Sequence, residues 1–237
     1  MPSRSPPRRN RRLHGQRAGR PLSPTLRSHL QHLDAISIAA DVTRAQHDRQ
    51  TLDLAKLFPS TPTVWLEIGF GAGEHLVHHG SLHRHIGLIG CEVFLRGIAS
   101  AIGRARAARL ANVRIHPGDI RDLLDVLPAR SIARTFLMFP DPWPKRRHHK
   151  RRFVNDEYLD PLARVMAPGA VLRLATDSTD YVRQALTTIR IHGAFQWTAR
   201  RQEDWRERWL DSITTRYEEK ARCQNRRCTY LTFRRQG

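Results

Sequence analysis

From Val64 to the C-terminus the chain alternates short apolar runs with helix-length segments, and this alternation restricts the possible folds more than any other feature. The runs expected as strands are 64–70, 86–93, 113–115, 132–139, 170–175, 195–198 and 229–234. Helical patterning falls between them, over 74–79, 94–110, 120–127, 153–166 and 179–191. Tyr158, Leu159, Leu162, Val165 and Met166 show it most plainly, as one apolar stripe at helical spacing. Strands alternating with helices predict an α/β fold, a doubly wound and mostly parallel seven-stranded sheet covered on both faces.

Sheets of this kind hold ligands at the carboxyl ends of their strands. There, five successive strands each carry a carboxylate. The first runs into Glu67-Ile68-Gly69-Phe70-Gly71-Ala72-Gly73, the second ends at Glu92, the third at Gly118-Asp119, the fourth at Asp141 and the fifth at Thr176-Asp177. Gly69, Gly71 and Gly73 permit a sharp strand-to-helix turn and close approach of a ligand to the backbone. A dinucleotide fingerprint wants a small residue where Glu74 stands, and a glutamate at a helix start repels pyrophosphate. It does not repel a ligand without phosphates, such as S-adenosylmethionine. The ribose diol of that ligand suits Glu92, its adenine amino group suits Asp119, and its cationic amino-acid end suits Glu67 and the glycine loop. A bare tight turn remains the plain alternative for the glycines.

The segment Phe139-Pro140-Asp141-Pro142-Trp143-Pro144-Lys145-Arg146-Arg147-His148-His149-Lys150-Arg151-Arg152 sets one acid and one ring between stiffening prolines, ahead of a cationic run. Cations hold phosphate and a ring stacks on a base, so the pattern suits a nucleic-acid base presented to a reacting centre. Trp143 fits base stacking and a core anchor equally. The formal net charge of +19 points the same way, toward a polyanionic partner. Biased genomic composition explains part of the excess of Arg over Lys, but not the net charge.

Residues 1–30 hold eight Arg, no acid and few large apolar side chains. They are expected to form a basic, disordered extension ahead of a single domain spanning 31–237. Scattered prolines argue against an organellar transit helix there. Helical tendency returns over 25–57. Cys91, Cys223 and Cys228 match no disulfide or zinc spacing, which fits a reducing, cytoplasmic setting. No apolar run approaches the roughly 20 residues that cross a bilayer, so no membrane association is expected. His78, His79, His83 and His85 have no acid at ligand spacing, and they read as a solvated helix end rather than a metal site.

With these residues in hand, the chain resembles the bacterial single-subunit tRNA (guanine-N7-)-methyltransferases. The carrying segments are Leu66-Glu67-Ile68-Gly69-Phe70-Gly71-Ala72-Gly73-Glu74-His75-Leu76, Gly90-Cys91-Glu92, the Pro-Asp-Pro-Trp segment with its basic tail, Ala175-Thr176-Asp177 and Thr215-Arg216-Tyr217-Glu218. The resemblance covers residue 60 to the C-terminus. It implies a class I, Rossmann-like methyltransferase fold, S-adenosylmethionine as cofactor, and methylation of a guanosine in the tRNA variable loop at tRNA position 46. Matched position by position, it implies cofactor binding by Glu67, Glu92, Asp119 and Asp141. It also implies substrate contacts by Lys145, Asp177, Thr215, Arg216, Tyr217 and Glu218. Many relatives carry a glycine turn before the last strand, where this chain has Gln224-Asn225-Arg226-Arg227.

Guanine N7 offers an in-plane lone pair and has no proton to lose, so the chemistry asks for alignment and a suitable field rather than a strong base. A carboxylate beside the base stabilises the cationic product. Asp141 is the first choice for that role and Asp177 the second. Lys145 and residues 146–152 are expected to grip the RNA backbone. Ser178 rather than Asp177 is expected to cap the following helix, and Thr215 with Glu218 has capping-box spacing. No obligatory protein partner is expected, and a monomer or a homodimer fits the sequence equally. Two other readings are a nicotinamide dehydrogenase, which the glycine spacing and Glu74 disfavour, and an inactive basic RNA-binding protein, which the row of acids disfavours.

Overall fold

The computed structural model describes residues 19–237. The apolar runs become β1 (Thr63–Ile68), β2 (Ile86–Cys91), β3 (Val113–His116), β4 (Ile132–Met138), β5 (Met166–Thr176), β6 (Phe195–Trp197) and β7 (Thr229–Arg235). They form one sheet in the order β3-β2-β1-β4-β5-β7-β6. β1 pairs in parallel with β2 and β4, β3 with β2, and β5 with β4; β7 lies antiparallel between β5 and β6. β2 is buried at every position, as a central strand covered on both faces must be.

The helices are α1 (Pro24–Leu30), α2 (Ala39–Asp48), α3 (Leu54–Leu57), α4 (Glu74–Leu82), α5 (Leu95–Ala107), α6 (Ile120–Val126), α7 (Asp156–Val165), α8 (Thr179–His192), α9 (Glu203–Arg206) and α10 (Arg216–Cys223). Two apolar clusters follow from strand pleating, which sends neighbouring residues to opposite faces. Trp65 and Leu88 pack with Leu76 of α4 and with Ile98 and Ile102 of α5. Leu66 and Ile89, one position on, belong with Leu123 of α6, Leu159 and Leu162 of α7, and Tyr181 of α8.

The chain order reverses at β1, which has β2 on one side and β4 on the other. Such a switch point opens a crevice outside the strand ends. β4 and β5 deliver the Pro-Asp-Pro-Trp segment and Asp177 to the same edge of the sheet as the glycine loop after β1.

Local differences from expectation have local causes. The basic run forms a two-turn 3-10 helix over Arg146–Arg151. α7 starts at Asp156 rather than at 153, because Arg152 ties the preceding backbone to another part of the molecule. Of the basic segment 1–30, residues 1–18 lie outside the described residues. Residues 24–30 are helix α1, capped by Ser23 and packed on α5. Asn225 sits at φ 52° just past α10, a left-handed turn that Asn tolerates.

Candidate active site

The glycine loop after β1 turns with φ of 70°, 56° and 78° at Gly69, Gly71 and Gly73. At Gly73 a side chain has no room, since a Cβ would lie 2.5 Å from the Ala101 Cβ of α5. Gly97 in α5 lets that helix touch the loop itself; a Cβ there would lie 2.2 Å from the Gly71 carbonyl oxygen. The loop is therefore seated against α5 and open toward the strand ends.

Beside it lies a cleft of about 300 Å³. Its walls are Gly69 and Gly71, Glu92 after β2, Asp119 after β3, and Asp141 and Trp143 after β4, with Ile68, Ile120 and Leu137 as apolar floor. Tyr158 of α7 and Tyr217 of α10 close two sides. Thus three of the five strand-end acids line one cavity.

Glu92 is the best-anchored of these acids. It accepts hydrogen bonds from the amides of Gly71 (2.8 Å), Val93 (2.7 Å) and Phe94 (3.0 Å), so it ties the glycine loop to the end of β2. Burial pushes its carboxyl above the usual range, the three amides oppose this, and Asp141 adds to it. Asp119 caps α6 by accepting from the Arg121 amide (2.9 Å) and pairs with the Arg121 guanidinium (2.6 Å). Asp141 keeps solvent contact, yet the crowded wall raises its carboxyl too, through burial. Phe139 (φ 50°) and Trp143 (φ 41°) flank it in a left-handed conformation that bulky residues rarely adopt, and such strain gathers at functional sites.

Arg152 holds that loop. It is buried, and its Nε donates to the Pro142 carbonyl (2.8 Å). Its other nitrogens reach the Trp143 carbonyl (3.4 Å), Asp180 (2.5 Å) and Gln184 (3.3 Å), and the guanidinium lies over the Tyr181 ring. The expectation that the whole run 146–152 faces RNA is thereby corrected. Lys145, Arg146, Arg147 and Lys150 are exposed, Arg151 lies over the Trp143 ring (5.0 Å), and Arg152 points inward. Run composition is blind to which member turns toward carbonyls. Trp143 belongs to neither core cluster; it is a half-buried cleft wall.

Apart from Tyr217, the remaining expected site residues lie around this cleft rather than in it. Glu67 is buried in β1 and faces a narrow adjoining crevice with Gly69, Thr215 and Tyr217, its carboxylate on the His75 ring (2.9 Å). Asp177 forms an ion pair with Arg226, and Ser178 caps α8 by accepting from Tyr181 (3.3 Å). Thr215 caps α10 by accepting from the Glu218 amide (3.3 Å). Glu218 is fully buried and paired with Arg222 (2.6 Å), while Arg216 pairs with Glu74 (2.8 Å). Tyr217 stands between the cleft and the crevice and lines both.

The histidine group also departs from expectation. Of the four, His85 is exposed and His78 and His83 are half-buried, but His79 is buried against Phe136 and Trp65, as is His75 one turn earlier against Phe136, because the inner face of α4 lies on the sheet. The fold brings an acid as well: donor atoms of His79, His83 and Asp211 lie within 4.8 Å of one another. No sequence spacing reveals Asp211, which is more than a hundred residues away. Arg134 (3.1 Å) and Arg173 (2.6 Å) occupy its two oxygens, placing two guanidinium cations against any metal ion there.

A crevice at the switch point of a 3-2-1-4-5-7-6 sheet, with β7 reversed between β5 and β6 and an acid-lined glycine turn, defines a class I methyltransferase fold. The chain belongs to the family of tRNA (guanine-N(7)-)-methyltransferases. Residues 61–231 match the family model described as "Putative methyltransferase". A tRNA (guanine-N(7)-)-methyltransferase of Ruegeria pomeroyi is 52% identical over 99% of both chains. One of Roseobacter denitrificans is 50% identical over 97% of this chain and 98% of its own. In fold, the 16S rRNA methyltransferase KamB aligns with a TM-score of 0.59 at 16% identity, over 78% of this chain and 93% of its own. A 16S rRNA (adenine(1408)-N(1))-methyltransferase with cosubstrate SAM from Catenulisporales acidiphilia aligns at 0.54 and 16%, over 77% and 90%.

Proposed function

We propose that this enzyme methylates N7 of a guanosine in the variable loop of tRNA, at tRNA position 46, with S-adenosylmethionine as donor. Supporting this above all is the juxtaposition of the acid-lined cleft with the Pro-Asp-Pro-Trp loop and its exposed cations. The donor set fits the cofactor. The Glu92 carboxylate on the cleft wall would accept from a ribose diol, and the floor of Ile68, Ile120 and Leu137 is apolar. Glu74 at the start of α4 disfavours a pyrophosphate ligand. S-adenosylmethionine would supply an electrophilic methyl on a sulfonium.

The residues of the chain then orient and stabilise. Glu92 and Asp119 hold the nucleoside end, and Glu67 with the glycine loop serves the cationic amino-acid end. Asp141, at the mouth of the cleft, accepts from the guanine N1 and N2 donors and offsets the positive charge that arrives on the ring. Asp177 is the second acid available to the base once Arg226 is displaced. Lys145, with the exposed cations after it, grips the backbone; Arg216 and Tyr217 contact the substrate from the other side, on the turn that Thr215 and Glu218 build. No side chain has to remove a proton, so the cleft serves alignment and charge stabilisation. The enzyme works in the cytoplasm, as a monomer or homodimer, without an obligatory protein partner; no helix among the described residues is long and apolar enough to cross a membrane.

The test is incubation of the purified enzyme with labelled S-adenosylmethionine and unmodified tRNA, then aniline mapping of the modified base. Label at position 46 with aniline-sensitive cleavage is the expected result. Label at another base or atom overturns the substrate assignment.

A further inference from the structure

The sequence places His75 and His79 one helical turn apart, so both point from α4 toward β1. Glu67 meets them there. All three side chains are buried, at 1%, 2% and 0% exposure for Glu67, His75 and His79. The Glu67 Oε2 lies 2.9 Å from the His75 Nδ1, and the His75 Nε2 lies 3.2 Å from the His79 Nε2. Phe136 stacks on His79 at 4.7 Å and meets His75 edge-on, and Trp65 meets His79 edge-on, so the rings cannot turn freely.

Proton accounting along this line has one low-cost solution. The His79 Nδ1 has no hydrogen-bond partner among the described residues. Orphaned buried N–H groups are rarer than orphaned acceptors, so that nitrogen is bare and the proton of His79 sits on Nε2. His79 then donates to the His75 Nε2, and His75 donates its Nδ1–H to Glu67.

We propose that His75 and His79 form a buried relay that positions the Glu67 carboxylate toward the cationic end of the methyl donor, making them positioning residues for the reaction. This rests on the reading above that Glu67 serves the cofactor. The relay leaves one Glu67 oxygen committed to His75 and fixes the plane of the carboxylate facing Gly69 and Tyr217. Burial, followed by the neighbouring His75, depresses His79 to about 2, so it remains a neutral member of the line at all working pH values.

Calorimetry with S-adenosylmethionine on three variants, with thermal midpoints recorded for each, tests the relay. Asn keeps an amide donor near the position of the imidazole Nδ1, whereas Leu keeps only bulk. His75→Leu is expected to raise the cofactor Kd about tenfold, the scale of one hydrogen bond to a charge, and His75→Asn to recover most of that loss. Glu67→Gln is expected to weaken binding at least as much as His75→Leu. Weak binding by Glu67→Gln with normal binding by His75→Leu overturns the relay alone. Normal binding by Glu67→Gln overturns the reading of Glu67 and the relay's purpose with it. Imidazole nitrogen NMR on the unaltered enzyme needs no variant to fold: Nδ1–H at His75 and Nε2–H at His79 are expected, and the opposite tautomers sink the proposal.

Discussion

At the scale of single residues, Asp141 combines two properties that gather at functional sites. Its carboxyl is raised by burial, and the backbone on both sides is strained. A raised native-state value means the folded enzyme binds more protons than the unfolded chain in the window above the ordinary aspartate range. Stability therefore falls as pH rises through that window. Asp141→Asn removes this penalty. The variant is expected to match the parent in thermal midpoint below the ordinary aspartate range and to exceed it at neutral pH. Turnover should meanwhile drop by about 100-fold or more, as when a group facing developing charge is lost. Thermal melts across pH, with single-turnover rates on tRNA, check both halves. A neutral-pH midpoint below the parent's would contradict the first, and near-parent turnover the second.

At the scale of elements, the cleft depends on two packings, one behind each wall. In α5, Gly97→Ala would gain about 1 kcal/mol of helix propensity. The added Cβ, 2.2 Å from the Gly71 carbonyl oxygen, must push the loop away, and overpacking of that kind costs about 1–3 kcal/mol. The clash wins, so this variant should melt earlier and bind S-adenosylmethionine more weakly, both measurable by calorimetry. On the other wall, Arg152→Met keeps bulk but leaves the Pro142 and Trp143 carbonyls without their donor. A loss of about 2 kcal/mol in denaturant unfolding is expected. Turnover should fall more than cofactor affinity, because the loop freed is the one carrying Asp141. Equal falls in both would show that Arg152 serves only the fold.

At the scale of the whole molecule, charge and shape divide the labour of recognition. The net charge of +19 draws in any polyanion, whereas the exposed Lys145, Arg146, Arg147 and Lys150 stand beside the cleft. Replacing these four with Gln should flatten the salt dependence of tRNA binding, by about 0.7–0.9 in the log–log slope for each phosphate contact removed. Cofactor affinity should not change. Arg152, though it belongs to the same sequence run, should leave the slope untouched when replaced. A slope unchanged in the fourfold variant would place the RNA on another face.

The sequence by itself determined the layered sheet, the order of its elements and the loop that bends after β1. Those depend on local periodicity and on residues adjacent in the chain, such as Gly69 to Gly73 or Ser178 ahead of α8. It also marked Glu92, Asp119 and Asp141, since a strand end is a local feature and the sheet carries the ends of its parallel strands to one edge. Only tertiary structure decided which groups face one another. It turned Arg152 inward, buried Glu218 against Arg222, set Arg226 on Asp177, and joined Glu67 to His75 and His79 while bringing Asp211 alongside. The physical reason is one of range. Backbone preference is set by neighbours along the chain, but the partner of a buried charge is whichever group the packing delivers, and that choice leaves no periodic trace.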